Sequence, residues 1–225
     1  MPTPSGSSNM SYITVDIPGV EKLLKNIKPN KAAGPNAIPC RIMKEAAHVL
    51  ALVLANLFNT SLQSRKIPAD WKLARVSPVF KKGNTNDASN YRPISLTRVC
   101  CKLLEHIISH EIRKHLDNHN ISSKFQHGFR TGHFSESQLL TTIQDIIGSF
   151  NRGKQVDVAV QDFSKAFNVV PHQRVLSKLP HYGINGTARE WIADFLEGCS
   201  QQVVVDFSSG WSKVHSGLPQ GTVLG

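Results

Sequence analysis

Val156 to Pro171, V-D-V-A-V-Q-D-F-S-K-A-F-N-V-V-P, is the stretch that most constrains how this chain folds. Val156, Val158 and Val160 alternate with Asp157, Ala159 and Gln161, the two-residue period of a strand. Asp162 keeps the parity of the valines, which puts it at the strand's end on their face. Ser164 follows and can cap the next turn. A carboxylate at the end of a buried strand is costly unless compensated, and a divalent cation would compensate it. Taken alone, Asp162 fits the plainer role of an N-cap or turn residue better.

The chain has 225 residues, 40% of them hydrophobic, enough to bury a core. Lys and Arg total 26 against 16 Asp and Glu, a net charge of +10 at pH 7. That excess is larger than solubility needs and favours a polyanionic partner or an anionic surface. Cys40, Cys100, Cys101 and Cys199 show no C-x-x-C spacing and read as reduced core residues of an intracellular, not secreted, protein. His106 and His110 lie four apart on an expected helix but lack the H-E-x-x-H pattern, so they read as a solvated face. Met1 to Asn9 is polar, without a signal peptide's apolar run. No segment approaches the ~18 apolar residues of a membrane span.

Periodicity sets the expected elements. Residues 1–15 read as a flexible lead. Pro18 opens a short helix with Val20, Leu23, Leu24 and Ile27 on one face. Residues 39–64 read as one long helix, apolar almost all round and therefore buried. Leu73 to Phe80 is an expected strand, with Pro78 marking an edge or an end. A basic turn, Lys81-Lys82-Gly83, and then Arg92 follow it, either a frame for phosphates or a solvated hairpin tip. Residues 101–118 form an amphipathic helix on the ridge Leu104, Ile108, Ile112 and Leu116. Residues 135–150 form another, with Leu139, Leu140, Ile143, Ile146, Ile147 and Phe150 inward. Helices at 173–181 and 187–196 come next, then a hairpin from 199–207 and 211–215, and a helix starting at Leu218.

Several blocks, in order, resemble one family. D-F-S-K-A-F-N-V-V-P-H, from Asp162 to His172, is similar to L-D-F-S-K-A-F-D-x-V-x-H, the first catalytic motif of reverse transcriptases of non-LTR (LINE-type, jockey/CR1-like) retrotransposons. K-A-A-G-P-N-A-I-P from Lys31 resembles that family's K-x-x-G-P-D-G-I-P. I-P-A-D-W-K-L-A-R-V-S-P-V-F-K-K-G, then N-Y-R-P-I-S-L-T and C-K-L-L-E, fill 67–105; Q-H-G-F-R occupies 126–130 and S-G-L-P-Q-G-T-V-L-G closes the chain.

The resemblance implies an α+β fold of the polymerase right-hand type, fingers plus partial palm, helix-rich with a small, mainly antiparallel sheet. It places a reverse transcriptase domain at 16–225, with fingers at 16–150 and palm at 151–225. It implies RNA-directed DNA synthesis on an RNA template and DNA primer from deoxynucleoside triphosphates, with Mg²⁺ as cofactor. Such chemistry uses two Mg²⁺ ions about 3.5–4 Å apart, held by several carboxylates. By resemblance Asp162 is a catalytic metal ligand and the Phe163 carbonyl another. Arg92, Lys81 and Lys82 meet the triphosphate, Phe167 excludes a ribose 2′-OH, and Gln220 contacts the nucleotide. Lys31, Gln126 and Arg130 face the template. Asn168 stands where the family has Asp, and Gln161 where an apolar residue is usual. The family's remaining carboxylates lie in a Y/F-A-D-D hairpin beyond the S-G-x-P-Q-G block, so this sequence alone is expected to be inactive. A non-catalytic nucleic-acid-binding or protein-interaction remnant is the alternative.

Overall fold

The computed structural model describes residues 9–32, 34–35, 38–163 and 166–224. Outside them lie residues 1–8 of the lead, Ala33, Asn36 and Ala37 of the Lys31 block, and the expected cap Ser164. The chain divides into two compact units, residues 1–112 with 165–225, and residues 113–164.

In the first unit, helix α1 (Ile17–Lys25) buries Val20 and Leu24 and has Pro18 in its first turn, where a missing N–H costs nothing. Residues 9–15, expected as flexible, are tied down. Ile13 and Val15 are buried, and Asn59 clamps Val15 by accepting from its N–H (3.0 Å) and donating to its carbonyl (2.8 Å). Helices α2 (Cys40–Glu45) and α3 (Ala47–Ser64) replace the single expected helix, with a break at Ala46. The all-round burial expected there is also corrected. Ala47, Ala51, Leu54, Ala55, Phe58 and Leu62 face the core, while Val49 and Val53 are 70% and 59% exposed. Apolar composition shows only that a helix can be buried; neighbours decide which faces are. Arg65, left-handed at φ 60°, ends α3 ahead of Pro68.

Strands β1 (Leu73–Phe80), β2 (Tyr91–Leu96), β3 (Ser200–Val203) and β4 (Ser212–Lys213) form a mixed sheet in the order β2-β1-β3-β4. β1–β2 and β3–β4 are antiparallel, but β1–β3 is parallel. The parallel pairing stops at Val76, so Pro78 has β2 alone beside it, opposite Pro93. The Lys81 N–H bonds to the Asn90 carbonyl, which puts the Pro78–Pro93 pair at a non-hydrogen-bonded register, where neither missing N–H breaks the β1–β2 ladder.

Helices α6 (His172–Lys178) and α7 (Gly186–Leu196) complete this unit's core. Trp191 is fully buried, stacks on Phe195 at 5.6 Å and donates its indole N–H to the Ser61 hydroxyl (3.0 Å). Asp194 accepts from the Ile67 N–H (2.8 Å) and from Lys66 and Lys72 (3.0 Å each), tying α7 to the start of β1. Burial pushes its carboxyl up, but these donors outweigh burial and hold it below the usual range.

Helix α4 (Val99–Asn118) begins in the first unit, where Leu103, Leu104 and Ile108 are buried. The second unit holds its last turns and helix α5 (Ser135–Asn151), whose first turn is fixed by the Ser137 hydroxyl bonding the Phe134 N–H and carbonyl. The inward apolar face expected of α5 is corrected: Leu139, Leu140, Ile143, Ile147 and Phe150 are all exposed.

Two further expectations change. Residues 154–163 carry no β-ladder, and Val158 and Val160 are 63% and 90% exposed. Alternation marks strand capacity, whereas a strand needs partners for its backbone groups, and no described segment supplies them here. Residues 218–224 are turns, not a helix. Among the described residues no helix is long and apolar enough to cross a membrane.

Candidate functional site

The segment 216–224 is held from three sides within the first unit. On one side is the turn 166–171, whose Phe167 carbonyl accepts from the Leu218 N–H (2.8 Å) and whose Val170 carbonyl accepts from the Gly217 N–H (2.9 Å). His172 Nε2 donates to the Gly217 carbonyl (2.7 Å). Gly217 sits at φ 84°, and a Cβ there would fall 2.5 Å from the Asn168 carbonyl oxygen, so glycine is required by backbone contact and by conformation together. On the second side is β2: the Ser95 N–H donates to the Gln220 carbonyl at 2.6 Å. On the third is α4, where Glu105 accepts from the N–H groups of Val223 (2.7 Å) and Leu224 (3.2 Å).

Glu105 is completely buried, and burial is the main cause raising its carboxyl above the usual range. The Val223 and Leu224 N–H groups pull the other way. Its partner on the same face is Cys101, whose thiol lies 3.5 Å from Glu105 Oε1 and is pushed well up, first by burial and then by this carboxylate. Glu105 closes the C-K-L-L-E block of the sequence but was assigned no role there. The available signal was its place four residues after Cys101, on the apolar face that Leu104 and Ile108 define.

This cradle fixes Gln220. Its side-chain Nε2 donates to Asn168 Oδ1 at 3.0 Å. A cavity of about 190 Å³ is lined by Asn168, Gln220, Ser95 and Pro93, with Thr97 and Trp71 also in its wall.

The other expected residues are distributed as follows. Arg92 lies on β2 opposite Val79, on the exposed sheet face it shares with Arg75. Lys81 and Lys82 are exposed on a turn shaped by Asn90, which donates to the Asn84 carbonyl (2.9 Å), and by Asp87, which accepts from the Ser89 N–H (2.8 Å). Phe167 is 40% exposed in the turn beside Asn168. Lys31 lines a separate cavity. The remaining residues belong to the second unit. Asp162 and Phe163 are exposed at the end of the segment 154–163, which has no regular secondary structure. Gln126 donates to the Gly128 carbonyl (3.1 Å) and Arg130 to the Ser123 carbonyl (2.9 Å), forming a turn with Phe129 at φ 63°.

Among the described residues no group of three His, Cys, Asp or Glu side chains converges as a metal site. Asp162 and the Phe163 carbonyl supply oxygen donors of the kind Mg²⁺ takes, but one carboxylate does not make a two-cation centre. The described donor set therefore does not fit the full metal complement.

Comparison with known proteins gives these contacts a family. Residues 79–225 match the reverse transcriptase (RNA-dependent DNA polymerase) family. The chain is 29% identical over 206 residues to a probable RNA-directed DNA polymerase from transposon X-element of Drosophila melanogaster, covering 87% of this chain and 22% of that protein. It is 28% identical over 218 residues to the RNA-directed DNA polymerase from mobile element jockey of the same species, covering 96% of this chain and 24% of that protein. It is also 25% identical over 173 residues to a Pol polyprotein of the type-1 retrotransposable element R2 of Popillia japonica, covering 75% and 24%. The chain thus spans less than a quarter of the length of these relatives. With a match across most of its sequence, and with relatives from jockey-like mobile elements, the chain belongs to the reverse transcriptase family of non-LTR retrotransposons.

Proposed function

We propose that this chain contributes the nucleotide-selecting region of an RNA-directed DNA polymerase acting on an RNA template and a DNA primer. The observation that carries the reading is the Gln220–Asn168 bond within a segment fixed from three sides. A side-chain amide so constrained loses little entropy when it meets a ligand. Phe167 is the gate against a ribose 2′-OH, and Arg92, Lys81 and Lys82 are the triphosphate-binding cations. Lys31, Gln126 and Arg130 face the template. Asp162, with the Phe163 carbonyl, is the chain's contribution to Mg²⁺ binding. The cation would stabilise charge on the transferring phosphate. The described residues hold one such carboxylate, so no catalytic step is assigned to them alone.

The division into fingers at 16–150 and palm at 151–225 is kept as a functional one. The sheet itself joins β1 from the former to β3 from the latter. A non-catalytic nucleic-acid-binding role is the second reading, favoured by the +10 charge.

Equilibrium binding of a deoxynucleoside triphosphate and its ribonucleotide counterpart, with primer-template and Mg²⁺ present, tests the proposal. Gln220→Ala and Arg92→Ala should each weaken binding, and Phe167→Ala should erase the preference for the deoxy form. Binding indifferent to all three substitutions would refute the assignment and favour the second reading.

A further inference from the structure

A second cavity, of about 540 Å³, lies on the other side of Thr97, between α1, the Lys31 loop and the first turns of α4. Its volume falls in the ~300–1,000 Å³ range of small-molecule pockets. Its lining combines apolar Leu23, Ile27, Leu96 and Leu103 with the basic residues Lys28, Lys31 and Lys102, and no carboxylate is among the described residues that line it. Lys102 is half-buried and has no ion-pair partner among the described residues. Burial first, and then the charge of Lys31, push its ammonium below the usual range, while nearby Glu105 opposes this. The Glu105 oxygens are already bonded to Val223, Leu224 and Cys101. An incompletely solvated, unpaired ammonium is costly until an anion meets it.

The cavity's frame is fixed independently of any ligand. Gly34 packs so closely on β2's exit that a Cβ there would lie 2.7 Å from the Thr97 carbonyl oxygen. Arg98 is pinned to Asp70 through its carbonyl (2.8 Å) and carboxylate (3.1 Å). Thr97 lines this cavity and the one at Gln220, and its buried hydroxyl has no hydrogen-bond partner among the described residues.

We propose that this cavity is a nucleotide-binding site distinct from the one at Gln220, with the phosphate between Lys102 and Lys31 and the sugar and base against the apolar side chains. Charge selects the phosphate, and the apolar lining distinguishes a nucleotide from a bare anion. The site uses no metal ion, and neither Arg92 nor Gln220 lines it.

Calorimetric titration of the 225-residue chain in EDTA tests this, using 2′-deoxyadenosine 5′-monophosphate, inorganic phosphate and a 5′-phosphorylated trinucleotide as probes. The mononucleotide should bind saturably and at least tenfold more tightly than phosphate. Lys102→Met should weaken it at least tenfold without lowering the melting temperature of the free protein. Lys31→Ala, in an exposed loop, should weaken it severalfold and stands in if Lys102→Met fails to fold. Arg92→Ala should leave it within twofold. Equal affinity for the trinucleotide identifies a free nucleotide and supports the site, whereas a trinucleotide binding more than tenfold tighter would return the cavity to the template-strand role already proposed for Lys31 and overturn it. No saturable binding, equal affinity for phosphate, or dependence on Arg92 in place of Lys102 and Lys31 would overturn it. The Arg92→Ala control separates these outcomes from binding at the triphosphate site.

Discussion

The amide of Gln220 donates to the side-chain oxygen of Asn168 across 52 residues of sequence. Position 168 is where the family pattern carries Asp, and either residue offers an oxygen acceptor there. Asn168→Asp should therefore leave triphosphate affinity within about twofold. Asn168→Leu removes the acceptor and frees Gln220, and a bond of roughly 0.5–1.5 kcal/mol corresponds to about a two- to tenfold loss. Equilibrium dissociation constants for the two variants check this. Equal losses in both would separate Gln220's orientation from Asn168.

Glu105 and the segment it holds give a stability prediction. Glu105→Ala leaves the N–H groups of Val223 and Leu224 without their acceptor and opens a cavity, costing roughly 2–4 kcal/mol. Glu105→Gln keeps an acceptor without the buried charge. A carboxyl raised on folding contributes stability that is complete below its unfolded value and is lost as pH rises through its folded value. Glu105→Gln should thus match or exceed the parent's melting temperature at pH 8, with the gap closing as pH falls toward 4. A variant that melts well below its parent at every pH would contradict the burial argument.

Asp194 carries the opposite sign. Its carboxyl is depressed on folding, so its stabilisation is complete above the unfolded value and is lost as pH falls through the folded one. Acid unfolding should begin at higher pH, and stability at pH 7 should drop by roughly 2–4 kcal/mol, in Asp194→Ala, which strands the Ile67 N–H and Lys72. Denaturant midpoints measured from pH 3 to 7 test both. A constant deficit across that range would mean that the charge itself is not what matters.

Sequence alone made the local elements legible. The ridge through Leu104 and Ile108 located α4, Pro18 located the start of α1, and the helix expected at 187–196 is α7. What it missed were relations between distant segments. The parallel pairing of Leu73 with Ser200 leaves no local period, so the sheet that joins the two halves was not anticipated. Val158 and Val160 show the converse, a strand pattern with no ladder. Motifs named Gln220 and Lys31, but neither the Asn168 bond nor Lys102's place beside Lys31 has a signature in spacing.

The last prediction concerns the net charge of +10 and the exposed turn at Lys81 and Lys82. If these lysines contact phosphates, each contact releases a counterion from the nucleic acid, and affinity falls with salt in proportion to the number of contacts. Binding of a single strand should then give a log–log salt slope that shrinks by about 0.7 for each lysine replaced by alanine. Glu105→Gln, buried and remote from solvent, should leave the slope unchanged. The slope should also be the same for strands of different sequence, because phosphate contacts carry no base information. Fluorescence anisotropy from 50 to 300 mM salt measures all of this. A slope unaffected by Lys81→Ala and Lys82→Ala together would remove the turn from the nucleic-acid interface and leave the positive charge to act elsewhere on the surface.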